Sequence, residues 1–316
     1  MPDTLLFTAG VTLPVCIMLL AGILLKKTGY IDDHFISVSS RLVFNFGLPA
    51  VLFFSLSSLD HSQPFDTDLL LFTCIATVTG FFLAWLLSLK VVPVWQDRGV
   101  FIQGAARGNL AVVGLALAGN MYGEEGIALL SLLMVVTIPV YNILSIVLLA
   151  YYGQDRSQQV SPLKLFQDIV SNPLIIAVLA GVLFSTTGLE IPAVIDKVGH
   201  YFARITLPLA LLGVGGTLSL KALGKTSHVS FWASLAKVAL LPLIVVPVAM
   251  LLGYEAMELG VLFLMMSCPT AAASFIMAKA SGGNGELAAN IIVLTTLASL
   301  PAVSLGLFVM KTWGVI

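Results

Sequence analysis

Charge is what this chain has least of. Of its 316 residues, 10% are Asp, Glu, Lys or Arg and 59% are hydrophobic, where a soluble domain carries roughly 25% charge. So little polar surface cannot coat a globule in water, which excludes an ordinary soluble enzyme. The charge that is present nearly cancels, with a net of −1, so there is no basic footprint for nucleic acid. Cysteine is scarce as well. Cys16, Cys74 and Cys268 each sit inside an apolar run, without pairing or ligand spacing, and read as small packing residues. The four histidines, His34, His61, His200 and His228, fall in or beside connections and form no metal cluster. No HExxH or nucleophile–base pattern appears at one depth, so an intramembrane enzyme is disfavoured. The chain is expected not to be an enzyme and to need no cofactor.

What is there is apolar sequence in runs of about 20 residues, enough for a helix to cross ~30 Å of hydrocarbon. Ten runs lie near residues 5–25, 38–58, 69–92, 100–119, 126–152, 171–186, 205–220, 230–252, 256–280 and 287–310. None alternates as a barrel strand would, so the fold class is an all-α polytopic membrane protein. The first run ends at Lys26-Lys27 with no basic segment before it, and reads as a retained span rather than a signal peptide.

Orientation follows from the cations of the connections. Grouped with the nearest connection, Lys26, Lys27, Arg41, Lys90, Arg98, Arg107, Arg156, Lys164, Lys221, Lys225, Lys237 and Lys279 collect on one side, against Lys197, Arg204 and Lys311 on the other. Twelve against three makes the first side cytoplasmic. The expectation is a multi-pass protein of the plasma (inner) membrane with both termini outside.

One motif is written twice. LAGILLKKTG (Leu20 to Gly29) returns as LAGVLFSTTG (Leu179 to Gly188), a shift of 159 residues. The same shift sets Pro14 on Pro173, Pro49 on Pro208 and Asn45 on Arg204; a shift of 162 sets Glu124 on Glu286 and Pro139 on Pro301. The chain therefore divides into residues 1–152, a cytoplasmic linker 153–170 and residues 171–316, five spans to each half. An odd number of spans makes the second half enter the membrane from the opposite face, and inverted repeats of this kind characterise secondary transporters, with sites at the bilayer midplane.

The pointer to such a site is a pair of Gly/Pro-interrupted spans in matching positions. The fourth span, AARGNLAVVGLALAGNMYG, and the ninth, MMSCPTAAASFIMAKASGG, fit it. At the 162 shift, Gly108-Asn109 falls one residue past Pro269. Proline removes a backbone donor, so carbonyls near Met265 and Met266 lose partners, and such groups persist in hydrocarbon only where protein, water or ligand satisfies them. A restarted half-helix directs its positive end at the midplane, which suits an anion. Asn109, Ser267, Thr270 and Ser274 would add side-chain hydrogen bonds. A plain proline kink with Asn109 bridging two helices would leave the same residues; their matched placement favours a site. Asn45 with Arg204 forms another matched polar pair, with Arg204 expected to reach for the outer rim. Tyr141 and Asn142 either line a cavity or pair with a neighbouring helix. Glu124 and Glu286 read as solvated helix starts. No Asp or Glu stands inside a span as a proton relay. Coupling to Na+ through Asn and backbone oxygens, to H+ through Arg or His, or no coupling at all, stays open.

On RLVFNFGLPAVLFFSLSS, GNLAVVGLALAGNMYG, SNPLIIAVLAGVLF, ITLPLALLGVGGTLSL and CPTAAASFIMAKA, taken in this order, the chain resembles the auxin efflux carrier family in its prokaryotic branch. The resemblance implies a fold similar to sodium/proton antiporters and bile-acid symporters, with a scaffold domain and a transport domain in which helices 4 and 9 cross as broken helices. It also implies organic anions as substrates: auxin in plants, malonate or malate in bacteria. Asn109 matches the asparagine that meets the substrate carboxylate in the plant carriers, and Pro269 matches the first proline of the ninth-helix crossing. Ala116 and Ser274 stand where the plant carriers place further prolines, and their long cytoplasmic loop is missing. A homodimer is implied by the resemblance alone. The expected function is a permease for mono- or dicarboxylates working by alternating access, embedded in a lipid bilayer; the alternative is an anion channel or passive facilitator on the same scaffold.

Overall fold

A backbone in hydrocarbon must satisfy its own polar groups, and a helix does so within one segment. The computed structural model describes residues 2–57, 67–153, 163, 167, 170–218 and 228–316, and among these the chain is helical almost throughout. In order the helices are α1 (Pro2–Lys27), α2 (Asp33–Ser57), α3 (Thr67–Val91), α4 (Trp95–Ala106), α5 (Leu110–Tyr152), α6 (Pro173–Ser185), α7 (Ala193–Thr217), α8 (His228–Leu251), α9 (Ala256–Ser267), α10 (Ala273–Ala280) and α11 (Gly285–Thr312). Seven are long and apolar enough to cross a membrane: α1, α2, α3, α5, α7, α8 and α11. The chain is a multi-pass membrane protein. Leu13, Leu71, Leu183 and Leu243 are among the large side chains left exposed on its outside, as a lipid-facing surface requires.

Seven long helices accommodate ten apolar runs because length and crossing differ. α5 has 43 residues, about 65 Å if straight and twice the hydrocarbon thickness. It folds instead at Gly123, whose φ of 63° and ψ of −142° are non-helical. A Cβ on Gly126 would lie 2.5 Å from the Ala118 carbonyl oxygen, whereas eight residues of straight helix separate two groups by about 12 Å. The fourth run therefore spans α4 and the start of α5, the fifth the rest of α5, and the ninth α9 with α10. The linker 153–170 lies largely outside the described residues, as do Arg156, Lys164, Lys221 and Lys225. The Lys311 ammonium sits 5.0 Å from the centre of the Phe7 ring, so the two chain ends share one end of the bundle.

The two copies of the repeated motif do the same two things. Gly29 (φ 81°) and Gly188 (φ 65°) end the α1 and α6 stretches in the left-handed conformation that glycine adopts freely. The glycine of each LAG lets a helix approach another backbone: a side chain on Gly22 would run into the Leu212 carbonyl of α7, and one on Gly181 would stand 2.9 Å from the Phe53 carbonyl of α2. So α1 packs on α7 while α6 packs on α2, an exchange between the two halves of the chain. α2 and α7 also touch, and the four form one group against which the remaining helices lie.

Candidate functional site

The interrupted helices meet backbone to backbone. α4 ends at Ala106 and α9 at Ser267; Arg107 and Cys268 then turn to extended or near-extended backbone. Gly108 and Thr270 face each other as an antiparallel bridge. The Asn109 N–H donates to the Pro269 carbonyl at 2.8 Å, and the Ala271 N–H donates to the Arg107 carbonyl at 3.2 Å. Each interruption thus satisfies groups freed by the other, which answers the cost of unpaired backbone in hydrocarbon.

Other elements satisfy what the ladder leaves over. The Thr270 N–H donates to Thr295 Oγ1 of α11 at 3.0 Å, and Thr270 Oγ1 donates to the Gly104 carbonyl at 2.6 Å. That diverts the N–H which an unbroken helix would return to Met266. The Met266 carbonyl instead accepts from Lys237 Nζ of α8 at 2.8 Å. Lys237 is fully buried, with no Asp or Glu paired to it among the described residues.

Three π-helical turns stand at this level: Val43–Gly47 in α2, Leu110–Gly114 at the start of α5 and Ala236–Leu240 in α8. The first carries Asn45, the second follows Asn109 and the third carries Lys237. Such turns widen a helix and release a carbonyl, and they gather at functional sites.

A cavity of about 690 Å³ opens beside the ladder, between α4, α5 and α10 on one side and α2, α6 and α7 on the other. Of the residues singled out from the sequence, Asn45, Gly108, Asn109, Tyr141 and Asn142 line it, joined by Arg41, Arg107 and Asn172. Asn172 also caps α6 through the Leu174 N–H at 2.9 Å. Ser267, Pro269, Thr270 and Ser274 stand behind this wall: the Ser267 and Ser274 hydroxyls are buried without hydrogen-bond partners among the described residues, and Thr270 is committed as above. The Arg107 guanidinium reaches Met277 Sδ at 3.3 Å, and the Gln103 amide nitrogen reaches the same sulfur at 3.3 Å.

A second cavity, of about 890 Å³, lies on the other side of a thin apolar layer. It takes in Glu124, Asp196, His200 and Arg204, with His200 Nδ1 3.3 Å from Asp196 Oδ1. Leu48 and Ala210 face the smaller cavity where Val51 and Leu211 face the larger. Asn45 and Arg204, matched by the repeat, thus line cavities on opposite sides. Arg204, expected at the outer rim, is exposed and borders this cavity.

Two of the cations counted toward the cytoplasmic side stand at the level of the interruptions, away from the connections between spans. Arg107 lies in the interruption and Lys237 inside α8, so neither bears on orientation. Grouping each cation with its nearest connection hid both residues. A lysine flanked by apolar sequence, ASLAKVALLP, was the available signal.

Among known proteins, an "Uncharacterized transporter" of Methanothermobacter thermautotrophicus is 24% identical over 301 residues, covering 93% of this chain and 95% of its own. The "Uncharacterized transporter YfdV" of Escherichia coli K12 is 24% identical over 313 residues, 96% of each chain. A "Putative malonate transporter" of Rhizobium meliloti is 27% identical over 229 residues, 68% of this chain and 71% of its own. The family model described as "Membrane transport protein" matches residues 9–307. With nearly the whole chain inside that match, the protein belongs to the membrane transport protein family that holds the auxin efflux carriers.

Proposed function

We propose that this chain is a secondary carrier of small organic anions, mono- or dicarboxylates, in which two inverted five-span halves alternate access to one site. The observation that carries the reading is the paired interruption at Gly108 and Thr270 opening onto a cavity that also gathers Asn45, Asn109 and Asn142. α5 and α10 both restart at this level, and their positive ends favour an anion. Asparagine amides supply donors for a carboxylate at the same depth. Two cavities separated by one apolar layer fit a carrier better than an open pore. The likeness to a "Putative malonate transporter" supports a carboxylate substrate. In this reading α1, α2, α6 and α7 form the scaffold and the interrupted helices move against it.

The test is flux through purified protein in proteoliposomes, with a carboxylate panel that includes malonate, with and without Na+ and pH gradients. Saturable flux that is stimulated by anion on the opposite side is the expected result. Current that rises linearly with driving force would replace the carrier by a channel. Silence across the panel, electrical and isotopic, would overturn the carboxylate assignment. Dependence on either gradient identifies the coupling ion.

A further inference from the structure

We infer that Arg107 is a ligand for a carboxylate of the transported anion, and that Met277 keeps its guanidinium available by offering only a thioether in return. The inference rests on the carrier reading and adds a residue to its site. Arg107 is anchored by its backbone, since its carbonyl accepts the Ala271 N–H and its own N–H returns to Gln103 at 2.9 Å. Its side chain lines the same cavity as Asn45, Asn109 and Asn142.

A guanidinium carries five N–H donors in a planar fork suited to a carboxylate. Among the described residues it has one hydrogen-bond partner, the Met277 sulfur, while its Nε is buried without any. That sulfur is an uncharged, weak acceptor, and Gln103 competes for it at the same distance. The ion pairs among the described residues are Lys26–Asp33 and Asp196–His200, so none of the described Asp or Glu residues pairs with Arg107. Arg107 is half-buried with its Nε fully enclosed; a charge withdrawn from water in this way is ordinarily paired, and here the missing half is supplied by the substrate. Lys237 is a second cation at this level, fully buried, but its ammonium is spent on the Met266 carbonyl and does not line the cavity. Arg107 is therefore the cation that meets the anion.

The experiment measures malonate binding to the purified full-length protein, together with its melting temperature. Arg107→Gln weakens binding by about 10- to 100-fold, the worth of a hydrogen bond to a charged group. Met277→Glu gives the guanidinium an internal carboxylate and weakens binding over the same range. Met277→Leu removes the competing acceptor and tightens binding by about twofold, the low end for a neutral hydrogen bond. Opposite signs at Met277 are what a packing role would not produce, and this pair decides the matter even if Arg107→Gln fails to fold. Equal weakening by both Met277 variants, or wild-type affinity in Met277→Glu, overturns the inference while leaving the carrier reading intact. A wild-type protein that binds neither malonate nor any other carboxylate of the panel overturns both.

Discussion

The two interruptions share a backbone plan and divide the work. In the first, Arg107–Gly108–Asn109, the side chains turn toward the cavity. In the second, Cys268, Pro269 and Thr270 turn into the protein and only the small Ala271 and Ala272 reach the cavity: Thr270 bonds Gly104 and Thr295, and the carbonyl released ahead of Pro269 goes to Lys237. In the proposed carrier the first arm recognises the anion while the second is pinned by α8 and α11. A matched pair of broken helices therefore need not present matched ligands, since the ladder between them lets one arm position the other.

The largest effect that would break this division is on binding. Asn109→Ala removes an amide from the cavity wall and is expected to lower carboxylate affinity by about 10- to 100-fold, with the melting temperature held. Unchanged affinity would mean that the first arm does not recognise the anion. Next comes Thr295→Val, on the pinned arm. Thr295 accepts the Thr270 N–H while donating to the Ile291 carbonyl at 2.7 Å. Valine keeps the shape and leaves that N–H buried and unpaired, at a cost of about 1–3 kcal/mol, read as a fall in melting temperature. The affinity change should stay smaller than that of Asn109→Ala. The reverse ranking would assign recognition to the second arm.

The sequence made some of this visible and hid the rest for physical reasons. Gly108 and Pro269 break helices by their own covalent nature, so both interruptions could be read without a fold. The repeat set Gly22 on Gly181 and Gly29 on Gly188, but that the first pair serves close packing came only with the fold. Thr295 was invisible. It looks like any helical threonine bonding back to its own turn, and its second role comes only from where α9 is broken. Ser267 and Ser274 were legible as polar residues near a break, yet which way a side chain faces depends on helices far off in sequence. Lys237 was legible as a charge and misplaced by the assumption that cations belong to helix ends. It sits nine residues beyond the start of α8, deep enough that a snorkelling stem could not serve it.

The smallest expected effect is at Gly108, where the two arms touch. Its φ is not positive, so the backbone there does not demand glycine, and its bridge partner Thr270 is itself β-branched. An added Cβ would meet Leu110 Cδ2 at 3.3 Å, Lys237 Nζ at 3.3 Å and Cys268 Cβ at 3.4 Å. All three are side-chain atoms, and two of them end flexible stems. Gly108→Ala should therefore cost about 1 kcal/mol, the low end for overpacking, with affinity reduced no more than a few-fold. The informative result is a larger loss. Lys237 holds the Met266 carbonyl of the second arm and also backs the first arm at Gly108. If one methyl group at Gly108 destroyed binding, the lysine would have to be seated too rigidly to yield. The arms would then be coupled through that ammonium as well as through their ladder.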